Sequence, residues 1–354
     1  KAVKSAFKNL SAVLDEAYQE IEKTPYSQAF EKTLYYPSKA QLKAEFYYYH
    51  YPIAKIAIVF YLIALIALFF GKTLKKKSIG LIGFIFLSGA FLLHTALLLM
   101  RTFILNRPPV SNMFETVLYV PWIAMVAGFI FYLFEKNRWL LITSSFSSLF
   151  LLILLELTGM HQQLENVQAV LDSNYWLTIH VLLIVGSYGI FVLCGLLGQI
   201  YLGYTLFYPG EKEEMKFLSK FILQTMYLGV FMLIPGTLLG GVWAAESWGR
   251  FWDWDPKESW AFISSSIYLA FIHGYRFHKI SSFGLSLGAV IGLMAISFTW
   301  YGVNYILGTG LHSYGFGTGK DIYYYSFLLL QTAFLIIVSI KHQKRLELKS
   351  KNLL

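Results

Sequence analysis

The stretch PIAKIAIVFYLIALIALFFGKTLKKK, Pro52–Lys77, decides the fold. It is apolar from Pro52 to Phe70 and then closes on Lys72, Lys75, Lys76 and Lys77. About 20 apolar residues are needed for a helix to cross the hydrocarbon core of a bilayer. Eight further segments follow the same rule: Ile79–Met100, Phe114–Phe134, Leu140–Thr158, Trp176–Phe207, Phe217–Gly240, Trp260–Tyr275, Phe283–Leu307 and Ile322–Ile340. The seventh span is short and the fifth is long. The expected fold class is therefore all-α, a polytopic helical membrane protein with about nine transmembrane helices.

Composition agrees. The chain is 56% hydrophobic and 14% charged, where a soluble domain has roughly 25% charged residues. A soluble enzyme is excluded. The net charge of +9 comes from Lys and Arg clustered between apolar runs, the pattern that orients a membrane protein, so no nucleic-acid partner is expected. The one cysteine, Cys194, lies inside an apolar run and builds neither a disulfide framework nor a CxxC pair within the chain.

Taken alternately, one set of loops carries Lys72–Lys77, then Lys136 and Arg138, Lys212 and Lys216, Arg276 and Lys279, and the tail Lys341–Lys351. The other set is poorer in basic residues. By the positive-inside rule the first set is cytoplasmic, which puts the N-terminal segment outside and the C-terminus inside. Residues 1–51 then read as the end of an external domain, 52–78 as the first span and its basic loop, 79–341 as a helical membrane domain, and 342–354 as a basic cytoplasmic tail. The start at Lys1, without an initiator Met or signal-peptide core, is expected to be the edge of a fragment or processed product.

The external loop 240–260 holds Trp243, Trp248, Trp252, Trp254 and Trp260, five of the nine tryptophans. Interfacial belts also collect Trp, but a belt needs only scattered aromatics. Here the indoles are interleaved with Glu246, Arg250, Asp253, Asp255, Lys257 and Glu258, all costly to place in lipid. Flat faces stack on a large planar ligand, and cations meet its carboxylates. Neutral imidazole ligates haem iron, and four histidines are external by this topology: His50, His161, His180 and His312. The last lies in the glycine-rich stretch LGTGLHSYGFGTG. His273, about 13 residues or roughly 20 Å beyond Trp260, lies toward the cytoplasmic end of the seventh span, and His94 lies within the second. Each is a functional candidate or an interhelical hydrogen-bonding residue. Glu156 marks the end of the fourth span.

WGRFWDWDPKESW at Trp248–Trp260 resembles the WWD signature of the haem-handling proteins of cytochrome c maturation. RPPVSNMFET at Arg107–Thr116, WLTIHV around His180 and GTGLHSYGFG around His312 narrow the likeness to CcsA, the system II cytochrome c synthetase, from about Ile79 onward. The preceding part is similar to the end of CcsB in fused CcsBA proteins. The resemblance implies that His180 and His312 are axial ligands of haem b, which is both ligand and substrate, at an external site. It implies that His273 belongs to an inner haem site whose second histidine comes from a CcsB-like portion or chain. It assigns catalytic positioning to Trp248, Trp252, Trp254 and Asp255, and haem contact to these together with Trp243 and Trp260. The implied activity is export of haem and attachment of its vinyl groups to the CxxCH cysteines of apocytochrome c. The chain would work as a multi-pass protein of the bacterial inner membrane, amid membrane lipids, with its active site on the periplasmic side and thiol-reducing proteins as further partners. Haem delivery without attachment, as in CcmC-like proteins, and di-haem electron transfer are the competing expectations.

Overall fold

The structure, a computed structural model, describes residues 37–158, 164, 173–308 and 321–351, and positions 9, 12, 13 and 16 nearer the start. Among the described residues the regular elements are all helices. They are α1 (Lys39–His50), α2 (Ile53–Thr73), α3 (Lys77–Leu105), α4 (Met113–Glu135), α5 (Arg138–Thr158), α6 (Leu182–Phe207), α7 (Lys212–Trp248), α8 (Pro256–Arg276), α9 (Ser282–Ser297) and α10 (Asp321–Lys351). Two widened π-helical stretches extend them: Leu177–Val181 leads into α6, and Phe298–Leu307 continues α9. Most of the expected external domain, residues 1–51, lies outside the described residues, as do His161 and His312.

Eight of the described helices are long and apolar enough to cross a membrane. The remaining expected span, the seventh, Trp260–Tyr275, forms α8, which is 21 residues long. With Ser264, Ser265, Ser266 and His273 along it, α8 has no apolar stretch as long as those of the other eight. The departure from the expected boundaries that bears on the site is α7, a 37-residue helix running through Trp248 rather than stopping near Gly240. Hydropathy marks where a helix leaves lipid, not where its hydrogen bonding ends. Gly249, in the left-handed conformation with φ 71°, supplies the stop.

α6 lies at the centre, packed on α4, α5, α7, α9 and α10. Lipid tails are as apolar as the helices, so association depends on close backbone approach. Gly189 provides it against α4: a Cβ there would lie 2.5 Å from the Val120 carbonyl oxygen. Alternate turns gather at alternate ends of the bundle. One end is tied by Lys72–Glu214 at 2.7 Å, Lys220–Glu135 at 2.6 Å and the Phe283–His342 stack at 3.9 Å.

The other end centres on a buried ion pair. Arg101 and Glu115 have fully buried side chains and meet at 2.9 Å. Arg101 also donates to the Tyr48 hydroxyl of α1 at 3.1 Å. Between these charges the chain reverses. Asn106, left-handed at φ 52°, ends α3, and Asn112 caps α4 by accepting from the Glu115 amide at 2.9 Å. The second carboxylate oxygen of Glu115 accepts from both the amide and the hydroxyl of Ser111 at 2.8 Å. One buried carboxylate thus fixes the whole RPPVSN turn.

Breaking a buried pair from one side costs about 3–5 kcal/mol, because the other charge stays behind. Arg101→Met is therefore expected to lower the melting temperature of the detergent-purified protein sharply, and adding Glu115→Leu should recover much of the loss. A double variant no more stable than Arg101→Met would show that the stranded carboxylate charge is not what the single substitution costs.

Candidate functional site

The RPPVSN turn, the Leu177–Val181 stretch, the outer half of α7, the start of α8 and the Phe298–Leu307 stretch enclose a cavity of about 160 Å³. Ser111, Asn112, His180, Trp243, Lys257 and Asn304 supply polar atoms to its wall, and Val110, Val185 and Ala261 supply apolar surface. Both widened helical stretches face it. Such turns are rare and concentrate at functional sites.

His180 is the best-defined group in the cavity. Its Nδ1 lies 2.7 Å from the Gly236 carbonyl oxygen. A carbonyl only accepts, so Nδ1 carries the proton and, in the neutral ring, Nε2 carries the lone pair. The ring fits because α7 has glycine one turn later: a Cβ on Gly240 would sit 2.5 Å from Cε1 of His180. Trp243 meets the imidazole edge-on at 5.8 Å and stacks on Trp176 at 6.3 Å. The Trp176 indole N–H donates to Glu246 at 2.8 Å. His180 and Trp176 thus dock against one face of α7, which holds the ligand-type nitrogen beside an aromatic wall.

The tryptophan segment divides among three surroundings. Trp243 lines the cavity. Trp248, five residues on and so about 140° around the same helix, lies under the Arg250 guanidinium at 5.4 Å. Trp252 and Trp254 meet edge to face at 5.7 Å, with Trp254 left-handed at φ 57° and 67% exposed. Trp260 packs on Phe298 at 4.2 Å. Their grouping in sequence does not make them one platform, because helices extend into the segment from both sides.

Much of WDWDPKE is the construction of a helix start. Asp255 is the N-cap of α8, accepting from the Lys257 amide at 2.9 Å, with Pro256 at the first helical position and Glu258 completing the capping box. Glu258 also receives Arg250 at 2.9 Å and the Asp253 amide at 2.9 Å. Arg250 and Lys257, the cations expected to meet ligand carboxylates, therefore have protein partners. Lys257 donates to the Thr299 carbonyl at 3.0 Å and to the Asn304 side-chain oxygen at 2.9 Å.

The remaining histidines lie elsewhere. His50 is exposed at the end of α1, stacked on Phe46 at 5.1 Å. His94 is fully buried. Its Nε2 donates to the Leu118 carbonyl at 2.9 Å and its Nδ1 lies 3.2 Å from the Tyr61 hydroxyl, interhelical hydrogen bonding of the kind that is one of the two readings of this residue. His273 is exposed on α8, with Nδ1 donating to the Leu269 carbonyl at 2.7 Å, so its lone pair too resides on Nε2. Glu156 faces Lys55 at 3.9 Å. Sequence reasoning passed over Trp300 and Asn304. Trp300 lines the cavity and donates to the Thr116 hydroxyl at 3.0 Å. The available signal was a polar Asn within an apolar span.

A family model described as cytochrome C assembly protein matches residues 110–312. The chain is similar to Protein NrfI of Wolinella succinogenes, 34% identical over 247 residues, covering 68% of this chain and 26% of that protein. It is also similar to cytochrome c biogenesis protein CcsA of Oenothera glazioviana, 30% identical over 271 residues, covering 64% of this chain and 84% of the relative. With CcsA of Lotus japonicus it shares 30% identity over 284 residues. The chain thus spans only about a quarter of NrfI but most of the CcsA proteins.

Gly240→Ala is expected to push the His180 ring off the Gly236 carbonyl and to cost about 1–3 kcal/mol through overpacking. The ring nitrogen shifts of labelled His180 and the melting temperature together check this. An unchanged Nδ1 signal would mean that the notch does not seat the ring.

Proposed function

The chain belongs to the cytochrome c assembly protein family, and from that premise we propose that it is the synthetase that attaches haem to apocytochrome c. The observation that carries the reading is His180, whose tautomer is set by the Gly236 carbonyl inside a cavity walled by Trp243 and Trp300. A preset tautomer directs Nε2 to iron and raises its basicity, as outer-shell hydrogen bonds do for metal-ligating histidines generally.

In this proposal the His180 end of the bundle lies on the periplasmic face of the bacterial inner membrane. The basic turns at the opposite end are cytoplasmic by the positive-inside rule. Haem b is the substrate. His180 and His312 ligate its iron, and Trp243, Trp248, Trp252, Trp254 and Trp260 contact or position its macrocycle. Asp255 acts by holding the start of α8, and with it Lys257 and Glu258, in place. His273, exposed on α8, meets haem on the cytoplasmic side together with a histidine from a CcsB-like portion or chain.

Each thiol of the CxxCH segment of apocytochrome c adds across one vinyl group. A carbon–sulfur bond forms and the thiol proton goes to the neighbouring carbon, with no net redox change. The substrate histidine then replaces one protein ligand and releases the product. Thiol-reducing proteins keep the substrate cysteines available. No side chain acts as nucleophile in this scheme, and Cys194 is buried in α6. The rate gain comes from holding thiol and vinyl in register, which is worth roughly 7–11 kcal/mol in well-oriented systems.

His180→Gly and His312→Gly proteins are expected to lose haem on purification and to regain its absorption with added imidazole. With apocytochrome c as the only partner, the unaltered protein should yield thioether-linked product. Haem retention in both variants would sink the axial-ligand assignment. Transfer of haem without thioether bonds would replace the synthetase by a delivery protein.

A further inference from the structure

At the end of the bundle opposite His180, the turn between α2 and α3 meets the turn between α4 and α5 over a pocket of about 380 Å³. Its wall includes Lys72, Lys75, Lys136 and Arg138 against one acid, Glu135. That acid is committed to Lys220 at 2.6 Å, and nearby Glu214 is committed to Lys72 at 2.7 Å. Among the described residues, no side-chain hydrogen bond or ion pair engages Lys75, Lys136 or Arg138. Three cations therefore share one pocket whose lining acid is already paired with Lys220.

Arg138 is not a loose surface residue. It is half-buried, and its guanidinium lies over Gly80, where any Cβ would collide with it, and 3.1 Å from where a Cβ on Gly71 would stand. The crossing of α2 and α3 is glycine on both sides, and the guanidinium fills the notch. Lys75 and Lys136 both adopt left-handed backbone, φ 54° and 53°, at the two turns that bring them to the pocket. Next in sequence to the lining residues stand exposed apolar side chains: Phe70 is 49% exposed, Leu74 54%, Leu133 62% and Phe134 80%.

We propose that this pocket binds the phosphate of an anionic phospholipid. A seated guanidinium presents a planar fork of donors that matches phosphate oxygens, and two lysines neutralise the remaining charge. The exposed phenylalanines and leucines favour a lipid over free phosphate, because they offer surface for acyl chains where a soluble anion has no use for it. Basic residues at helix ends are worth about 1 kcal/mol each toward anionic lipid. The turns that orient the chain in the membrane thus also form a specific lipid site, independent of the haem reading.

The test uses the full chain, delipidated in detergent and reconstituted in nanodiscs of phosphatidylcholine with or without phosphatidylglycerol. Bound lipid is counted by native mass spectrometry, and haem absorbance is followed in parallel. Unaltered protein should retain phosphatidylglycerol over phosphatidylcholine. Arg138→Gln should reduce that retention about fivefold, the equivalent of one cation, with haem absorbance unchanged. Should Arg138→Gln fail to fold, the exposed pair Lys75→Gln and Lys136→Gln decides, with a larger expected loss. Equal retention of the two lipids, or undiminished retention in the variants that fold, overturns the proposal. Stabilisation of the detergent-solubilised protein by inorganic phosphate to the same extent as by phosphatidylglycerol overturns it too, in favour of a soluble anion.

Discussion

The hydrogen bond from His180 Nδ1 to the Gly236 carbonyl, 2.7 Å long, joins the two helical segments that make half of the cavity wall. It determines which imidazole nitrogen carries the proton, and it places the ring in the notch that Gly240 leaves open on α7. Trp243, one turn beyond Gly240, then meets the ring edge, and Trp176 stacks on Trp243 in turn. The carbonyl is a backbone group, so its position depends on the path of α7 rather than on any side chain. Whatever tilts α7 tilts the ring.

A second anchor lies at the start of α8, where Glu258 gathers the Arg250 guanidinium and the amides of Asp253 and Asp255. A carboxylate at a helix N-terminus is favoured by the exposed amides and by the helix dipole. Here it also closes the short connection from α7. The charged residues of the tryptophan segment serve largely to shape that connection, and the aromatic side chains are what remain to face a ligand. With the Arg101–Glu115 pair under the RPPVSN turn, buried charges hold two walls of the cavity, and each has its counter-charge or amide partners at hand.

The helical membrane architecture was legible in the sequence because each span is a long apolar run, and the place of His180 followed from counting spans. Helix ends were less legible: α7 continues through Glu246 and Trp248, which hydropathy alone treats as loop. That extension scatters the tryptophans, since Trp243 and Trp248 take different faces of one helix. His94 showed nothing in sequence to separate a ligand from an interhelical hydrogen bond, and only the positions of Tyr61 and Leu118 resolve it. Asn304 left one mark, a polar residue within an apolar span, but its convergence with Trp300 and Thr116 was illegible because Thr116 comes from a span far away in the chain.

The widened turns of Phe298–Leu307 carry a consequence for how this wall tolerates change. In a regular α-helix the carbonyls of Thr299 and Trp300 would face the amide four residues on; in a π-helix they turn toward the amide five residues on, and each keeps a second lone pair for another donor. Here they lie at the start of the π stretch, and both receive the Lys257 ammonium, at 3.0 and 3.4 Å. Two of the lysine's acceptors are therefore main-chain atoms, present whatever side chain occupies either position. Point substitutions there leave the polarity of the wall intact, whereas loss of a single residue would retighten the coil and withdraw both oxygens. This part of the site is robust to drift in composition and brittle to change in length.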